Sequence, residues 1–250
     1  MSTPAQAARD ARRQLARLAR PTGPFDASRY FRNTSNLGFH NVGTDRVRTL
    51  AKSIARLHKD AWTLRDMSSF ADLLVRDRYL EAKALGIEAM ACYRGRFTPS
   101  LLQLWKRWLS RGDSANWATT DAICGLLIGP LLVDNPRLAA AVAKWGGDRS
   151  MWVRRASVVG LIPLARRGKS LDLLYATARR LHRDDEDLIQ KAVGWALREA
   201  GKADMKRLER YLRAGGARIP RTTLRYAIER FPPPLRRELL VVTRAAGSSR

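Results

Sequence analysis

Three residues of this chain have types and spacing that could do chemistry: Trp117, Asp121 and Trp195. A fixed carboxylate can stabilise positive charge that develops on a reacting carbon, and it can orient a water molecule. Indole faces add cation–π stabilisation of about 0.5–2 kcal/mol each. A glycosidase with paired carboxylates would need a second acid, and the sequence offers no partner for Asp121 at a suitable spacing. The set therefore favours a reaction that needs one carboxylate and two aromatic faces.

Four aspartates recur at a nearly constant step of 36, 35 and 36 residues: Asp77, Asp113, Asp148 and Asp184. Each stands just before a helix-like run. An aspartate is a favourable N-cap because its carboxylate accepts the unpaired N–H groups of the first turn and suits the helix dipole. Internal periods of 20–50 residues indicate solenoids. We therefore expect these spaced aspartates to cap the first helix of successive repeats.

The remaining helix signals complete each repeat as a pair of helices. Strand patterns are almost absent, and short Gly, Pro and Asp segments separate the helical runs. Pro4 near the first turn predicts a capped N-terminal helix, a short helix follows near 28–33, and Thr44 is expected to cap the next long one. Second helices of the repeats are predicted to begin near Pro99, Pro136, Ser170 and Asp204.

This pattern predicts an all-α fold, a right-handed α-solenoid of about five to six degenerate HEAT-like repeats. The step of about 36 is shorter than the 40–47 residues typical of HEAT repeats and close to the 34 of TPR repeats, whose signature residues are missing. We expect a single domain over 1–244, with N-terminal helices in 1–76, paired-helix repeats in 77–244 and a disordered tail at 245–250.

The spaced aspartates also place side chains around the first helix of each repeat. At about 100° per residue, six side chains fall within an arc of roughly 120°. They are Trp117, Asp121, Arg155, Lys191, Trp195 and Arg198. Equivalent faces of a solenoid stack side by side, so we expect these residues to share one concave groove.

Asp121 is the least ordinary member of this set. The corresponding positions of the sister repeats hold Leu85, Ala156 and Ala192, and aspartate is unfavourable inside a helix. That leaves a functional role or a buried pair with an arginine. For the others a plainer alternative stays open: Trp117 could be a core residue, and Arg155 and Lys191 could be solvated surface charges.

The charge of the chain predicts a polyanionic partner. Its 250 residues carry a formal net charge of +24, and only nine of the 47 basic residues are lysine. Arginine grips phosphates with two parallel hydrogen bonds, so nucleic acid is the first expectation and an acidic membrane surface the second. The alternative is a solvated basic surface in a genome biased toward arginine codons.

Several classes of protein are disfavoured. Cys92 and Cys124 lie in apolar helical runs, without metal-ligand spacing, and are expected to be reduced core residues. The three histidines are scattered, so neither a metal site nor a cofactor is predicted. No apolar stretch approaches 18 residues, so no membrane span is expected. The N-terminus lacks the apolar core of a signal peptide, although it superficially resembles a transit peptide. We expect a cytoplasmic protein without a membrane partner.

Several segments resemble one known family. The run Gln-Lys-Ala-Val-Gly-Trp-Ala-Leu-Arg-Glu at 190–199 closely resembles the signature of the HEAT-like alkylpurine DNA glycosylases of the AlkD type. Trp117 followed four residues later by Asp121 resembles the catalytic Trp-x-x-x-Asp of that family. The Trp-Val-Arg-Arg-Ala run at 152–156 is similar to its Trp-x-x-Arg-Ala segment, and 28–30 and 43–48 resemble its N-terminal region more loosely.

The resemblance implies a role for each matching residue. Asp121 would be the catalytic carboxylate, with Trp117 and Trp195 flanking the deoxyribose of the lesion. The residues implied to bind DNA are Arg155, Arg154, Lys191, Arg198 and Tyr30. The family acts on cationic N3- or N7-alkylated purines in duplex DNA without flipping the base, so the implied partner is alkylated double-stranded DNA, bound by a monomer.

The sequence departs from the family pattern at several positions, which are Asn116, Ala118, Asp187, Leu188 and Ala200. These departures keep a second hypothesis open, a non-catalytic HEAT-like module that binds nucleic acid. A protein-binding scaffold ranks third because a net charge of +24 matches few protein partners.

Overall fold

A computed structural model of the chain describes residues 2–21, 31 and 37–243. Helices make up the regular structure of this part, beside one isolated parallel bridge between Gly38 and Tyr79. The predicted all-α class is confirmed, and the paired helices are consistent with an α-solenoid. The number of repeats, their handedness and the single-domain organisation stay predictions. The helix expected near 28–33, apart from Phe31, and the tail at 245–250 lie outside the described residues.

Two compact units divide the chain, Met1–Leu131 and Leu132–Arg250. The helices of the first unit are α1 (Pro4–Leu18), α2 (Thr44–Leu57), α3 (Leu64–Val75), α4 (Leu80–Ala91), α5 (Leu101–Ser110) and α6 (Trp117–Ile123). A π-helical turn, Cys124–Ile128, prolongs α6 directly into α7 (Gly129–Asp134), and the boundary between the units falls within α7.

The second unit continues with pairs of helices. They are α8 (Ala139–Ala143), α9 (Met151–Val159), α10 (Ile162–Ala165), α11 (Leu171–Leu181), α12 (Asp187–Gly201), α13 (Met205–Gly215), α14 (Arg221–Ala227) and α15 (Pro233–Val242). Single 3₁₀ turns precede α8 and α9 and follow α13.

Helix starts agree with the sequence where a local cap dictates them. Thr3 caps α1, accepting from the Gln6 amide at 3.2 Å, and the Gln6 side chain accepts from the Thr3 amide at 2.8 Å. Asp204 caps α13 through the Arg207 amide at 2.8 Å. The expected Thr44 cap is wrong, because Thr44 is already the first helical residue and Gly43 occupies the N-cap without a side-chain bond.

The spaced aspartates are not the N-caps that the sequence predicted. The N-caps of the four following helices are Tyr79, Asn116, Ser150 and Glu186. Each helix begins three or four residues after the aspartate, so the aspartate lies in the turn that precedes the helix. One oxygen of Asp77, Asp148 and Asp184 accepts the amide two residues ahead, at 3.0, 3.0 and 3.2 Å respectively.

Two of these carboxylates also join a helix earlier in the chain. Arg12 of α1 places Nε 2.5 Å from Asp77 Oδ2, and Arg154 of α9 places Nε 2.6 Å from Asp184 Oδ2. Both aspartates are largely buried, so each pair is a charge-assisted bond that loses little to solvent. The recurring aspartate therefore shapes a turn and ties that turn to a neighbouring helix.

Each unit stacks its helices in two layers. In the first unit, α4 packs against α2 and α6 within its own layer and against α3 of the other, which also contains α1. In the second unit, α12 packs against α9 and α14 in one layer and against α11 and α13 in the other. The apolar cores of the units lie between these layers.

One helical stretch is longer and more apolar than the sequence analysis recognised. The 18 residues 117–134 have a mean hydropathy of 1.3, and half of them are buried. By length and composition this stretch could cross a membrane, so the expectation that no apolar run approaches 18 residues is wrong. A core helix meets the same criterion.

Close packing between α12 and α14 depends on Gly194. A Cβ added there would lie 2.5 Å from the Cβ of Tyr226 and 2.6 Å from the carbonyl oxygen of Thr223. Contacts this short require one helix to move, because the carbonyl belongs to the backbone. Gly125, on the π-helical turn, is the opposite case: nothing lies within 4 Å of an added Cβ.

Gly194→Ala is expected to destabilise the protein. Overpacking costs about 1–3 kcal/mol, which exceeds the gain of up to about 1 kcal/mol from replacing glycine in a helix. The matched control Gly125→Ala has no overpacking cost and is expected to keep or raise stability. Urea titrations followed by far-UV circular dichroism measure both free energies of unfolding. Equal changes in the two variants would contradict close packing at Gly194.

Candidate functional site

Trp117 and Asp121 lie on the solvent side of α6. The side chains of Thr119, Thr120 and Ile123 point into the core, whereas Trp117 is 37% exposed and Asp121 is half-buried. The two residues are one helical turn apart, so their side chains are neighbours on this face. The structure thus presents the indole and the carboxylate together at the surface of the first unit, and Trp117 is not a buried core residue.

An aromatic neighbour holds the indole. The ring of Phe31 stacks on Trp117 with centroids 5.4 Å apart and planes 7° from parallel, and Phe39 contacts Phe31 at 5.5 Å. Offset stacks of this kind stabilise by about 0.5–1.5 kcal/mol beyond burial. Phe31 was not among the site residues predicted from the sequence, although the adjacent Tyr30 was assigned to DNA. Tyr30 itself lies outside the described residues.

Asn116 sets the start of α6 and therefore the direction of its first side chains. Its Oδ1 accepts from the amide of Thr119 at 2.8 Å and from the hydroxyl of Thr119 at 2.9 Å. Thr120 adds a bond from its hydroxyl to the carbonyl of Ser114 at 3.2 Å. Asn116 is only 2% exposed. This departure from the family pattern is thus a buried cap.

The face that carries Asp121 stays open beyond it. Gly125 lies one turn farther along the same face, in the π-helical turn, and its missing side chain leaves space within 4 Å. Single π-helical turns inside α-helices occur often at functional sites. Cys124 beside it is buried, as expected. A ligand can therefore approach the carboxylate without meeting a side chain at position 125.

A basic cavity of about 400 Å³ lies in the layer of α2 and α4. Four cations line it, Lys52, Arg56, Lys59 and Arg96, together with the ring of Tyr93. The guanidinium carbon of Arg96 lies 5.1 Å from the centroid of that ring, and its nitrogens donate to the carbonyls of Trp62 and Lys59 at 3.2 and 3.4 Å. This arrangement suits an anion such as a phosphate.

This cavity was not predicted from the sequence, although the spacing of the basic residues along α2 indicated a basic face. Lys52, Arg56 and Lys59 recur at steps of four and three along α2, which places them on one helix face. The contribution of Arg96 could not be foreseen, because it comes from the turn after α4. Cys92, expected in the core, is exposed here because it follows the last residue of α4 and lines the cavity.

In the second unit, α12 carries three of the predicted residues. Lys191, Trp195 and Arg198 follow at steps of four and three and are each partly exposed. Lys191 Nζ lies 2.6 Å from Asp187 Oδ2, and this hydrogen bond raises the pKa of the lysine. Arg198 pairs with Glu229, in the turn after α14. Both cations thus have carboxylate partners that a phosphate would have to displace.

The rest of the 190–199 segment packs the fold together. Gln190 accepts a bond from the Thr223 hydroxyl at 2.9 Å, and Gly194 meets α14. Glu199 is buried and binds Arg166 at 2.7 Å and Lys202 at 2.5 Å. Burial raises the pKa of Glu199, but hydrogen bonds from Lys202 and Arg166 outweigh this and lower it. Much of the family-like run is therefore structural.

Arg154 and Arg155 make internal bonds. Arg155 is 5% exposed and donates to the carbonyl of Leu188 in the first turn of α12. Arg154 combines its pair with Asp184 with bonds to the carbonyls of Asp148 and Arg149 at 3.2 and 3.0 Å. Both arginines join α9 to the start of α12, and their assignment to the DNA backbone stays a prediction.

Another exposed aromatic stands near these residues. Tyr226 of α14 is 38% exposed, packs over Gly194 and lies close enough to Lys191 to influence its pKa. Tyr226 was not predicted from the sequence to be a site residue, since nothing in the run around it distinguishes a surface tyrosine from a core one.

The expectation that Trp117 and Trp195 share a groove stays a prediction. Within residues 2–21, 31 and 37–243, no group of three or more His, Cys, Asp or Glu could hold a metal ion.

Comparisons with known proteins agree with this picture. A model of the DNA alkylation repair enzyme family matches residues 11–231. A solved structure named as a predicted DNA alkylation repair enzyme from Enterococcus faecalis superposes with a TM-score of 0.69, at 16% sequence identity, over 79% of this chain and 90% of that chain. This identity makes it a likeness of fold. No curated protein matches the chain significantly.

Removing two cations of the α2 cavity should weaken binding to duplex DNA. Each phosphate contact contributes about 0.9 to the slope of log affinity against log salt, so Lys52→Gln with Arg56→Gln should reduce that slope by up to about two. Fluorescence anisotropy across salt concentrations measures it. The control pair Arg9→Gln and Arg17→Gln removes two exposed charges from α1. The same reduction in both pairs would show a general effect of net charge.

Proposed function

We propose that this chain, which belongs to the DNA alkylation repair enzyme family, is a DNA glycosylase that hydrolyses the N-glycosidic bond of cationic N3- or N7-alkylated purines. Its place in the family, whose model spans residues 11–231, supports an enzyme of DNA repair. The observation that carries the finer proposal is the open face of α6, where Trp117, Asp121 and Gly125 follow one another at one-turn intervals.

The chemistry of an alkylated purine matches this small set of groups. Alkylation at N3 or N7 makes the base cationic, so it leaves as a neutral molecule without a general acid. The sugar becomes oxocarbenium-like as the bond to the base breaks, and water then adds to the carbon. The Asp121 carboxylate stabilises that positive charge and orients the water, while the Trp117 indole offers its face to the same cation.

The openness of the face supports action without base flipping. Most glycosylases extrude the target base into a pocket. Here the carboxylate stands on the surface of a helix, beside a glycine that leaves space. A cationic nucleotide in duplex DNA can therefore approach the Asp121 carboxylate from the solvent side. Bulky alkyl groups would be tolerated for the same reason, because they need not enter a cavity.

Binding would be electrostatic and largely independent of sequence. The net charge of +24 and the basic α2 cavity supply cations for phosphates. In the second unit, we assign Trp195 to the deoxyribose of the lesion, and Lys191, Arg198, Arg155 and Arg154 to the DNA backbone. We also propose that Tyr30 binds DNA, as the resemblance implies. We further propose that the protein acts as a monomer in the bacterial cytoplasm, at the nucleoid.

A second candidate function is a non-catalytic module that binds nucleic acid. The internal bonds of Arg154 and Arg155 favour it, since the two cations assigned nearest to the lesion are held by the protein itself. The pairing of Asp187 with Lys191 points the same way. Release of a base from DNA separates the two functions.

Asp121→Asn is expected to lower release of 7-methylguanine and 3-methyladenine from methylated duplex DNA by about 10²–10³-fold, because the charge opposite the sugar is lost. Binding of duplex DNA should be retained. Asp185→Asn, at an exposed position before α12, removes one negative charge as a control and should leave release unchanged. Chromatography of the freed bases under single-turnover conditions gives the rates. A wild-type protein that binds DNA but frees no base establishes the non-catalytic module instead.

Trp195→Ala is expected to slow release by roughly 2- to 30-fold, the range that corresponds to one cation–π contact. The affinity for undamaged duplex should change less, since phosphates dominate it. Trp195→Phe keeps a weaker aromatic face and should lie between the two. Single-turnover rates and anisotropy titrations measure the two effects separately. Equal losses of rate and affinity in Trp195→Ala would assign the residue to packing or stacking alone.

A further inference from the structure

A second basic cavity, of about 640 Å³, lies between the C-terminal ends of α11 and α13. Three arginines, Arg179, Arg183 and Arg218, line it together with His182 and Tyr211. These helices form the layer of the second unit opposite to α12. The cavity is therefore built from residues that the proposed reaction does not use.

The charge of this cavity is not neutralised by carboxylates. Within the described residues, none of its three arginines makes a salt bridge, and no acidic side chain lines the cavity. Arg218 donates to the carbonyls of Ala214 and Gly215 at 2.6 and 3.2 Å, which orients its guanidinium. Three clustered positive charges without acidic partners favour an anion carrying two or more negative charges.

His182 leaves one buried polar atom without a partner. Its Nε2 lies 2.7 Å from the Tyr211 hydroxyl, whereas Nδ1 is buried and makes no hydrogen bond within the described residues. Burial, reinforced by the charge of Arg179, lowers the pKa of His182 to about 4, so the ring is neutral at pH 7. Buried polar atoms in folded proteins are nearly always paired.

The hydroxyl of Tyr211 determines which nitrogen of His182 carries the ring proton. Burial raises the pKa of Tyr211, so the hydroxyl keeps its proton and can donate it to His182 Nε2. In that tautomer Nδ1 carries the ring proton and is a donor without an acceptor. An oxygen of a bound anion would supply the acceptor. The histidine and the arginines then point to the same kind of ligand.

We propose that this cavity binds a phosphate group, with Arg179, Arg183 and Arg218 holding its oxygens and His182 Nδ1–H donating to one of them. A guanidinium forms two parallel hydrogen bonds with phosphate, and the volume admits a pyrophosphate-sized anion. The phosphate belongs either to a free oligophosphate or to a nucleic-acid backbone. Both present the same oxygen chemistry, and an experiment with two arms separates them.

The test follows the imidazole signals of full-length protein labelled with ¹⁵N at histidine. His40, His58 and His182 are the only histidines, so His182 can be assigned by its loss in a variant. One titration uses pyrophosphate and the other an unmodified DNA duplex. A shift of His182 but not of His40 in either titration supports the proposal and identifies the source of the phosphate. Failure of both ligands to move His182 overturns it.

Arginine variants provide the second measurement. Arg179→Gln with Arg218→Gln should weaken binding of the ligand that shifts His182 by at least about tenfold in calorimetry. Arg210→Gln removes a charge from an exposed position of α13 outside the cavity and should have little effect. All three arginines are exposed, so the variants should fold, as circular dichroism can verify. Equal weakening by Arg210→Gln overturns the proposal.

A triglutamate peptide tests the competing ligand chemistry. Glutamate carboxylates could also neutralise the three arginines, but each carries a single charge and two oxygens. If triglutamate shifts His182 at lower concentrations than pyrophosphate or the duplex, the cavity is a site for an acidic protein segment and the phosphate proposal fails. With the DNA saturated by protein, base release by the Arg179→Gln and Arg218→Gln variant should stay at the wild-type rate, because neither arginine belongs to the proposed reaction. Failure of the phosphate proposal is therefore distinct from failure of the proposed glycosylase.

Discussion

The bond between a turn aspartate and an arginine from an earlier helix is the interaction on which much of this structure depends. Asp184 shows its consequences most fully. One carboxylate shapes the turn before α12 and accepts from Arg154 of α9, and Arg155 reaches the carbonyl of Leu188 just beyond. These bonds set where α12 begins and which way it faces. The directions of the Lys191 and Trp195 side chains follow from that start, because the first residue of a helix fixes the angular position of every later side chain.

The same interaction limits how the positive charge can be used. Arginines that bond to the protein itself must break those bonds to bind a phosphate, and Arg154 and Arg155 are of this kind. Among the described residues, two basic clusters line cavities that no carboxylate lines, the α2 cavity and the cavity between α11 and α13. Of the basic residues behind the net charge of +24, some make bonds inside the fold and others line two cavities suited to anions.

The candidate site was predictable where local pattern decides it. Trp117 and Asp121 could be placed on one face because four residues are close to one helical turn, and the structure shows both at the surface. Their neighbours could not be predicted. Phe31 reaches Trp117 from a distant part of the chain, and Arg96 enters the α2 cavity from a turn. Contacts between remote segments leave no periodic trace in a single sequence.

The sequence by itself determined the all-helical class, the paired helices, the Thr3 and Asp204 caps and the family, since each rests on local residue preference or on a contiguous motif. Only the tertiary structure decided that Asp77 and Asp184 bind turns and arginines, that Asn116 is a buried cap and that Arg155 faces the interior. A charged side chain has the same local pattern whether it meets water, a carboxylate or a carbonyl. Its partner is chosen by packing, which brings together residues that the chain keeps far apart.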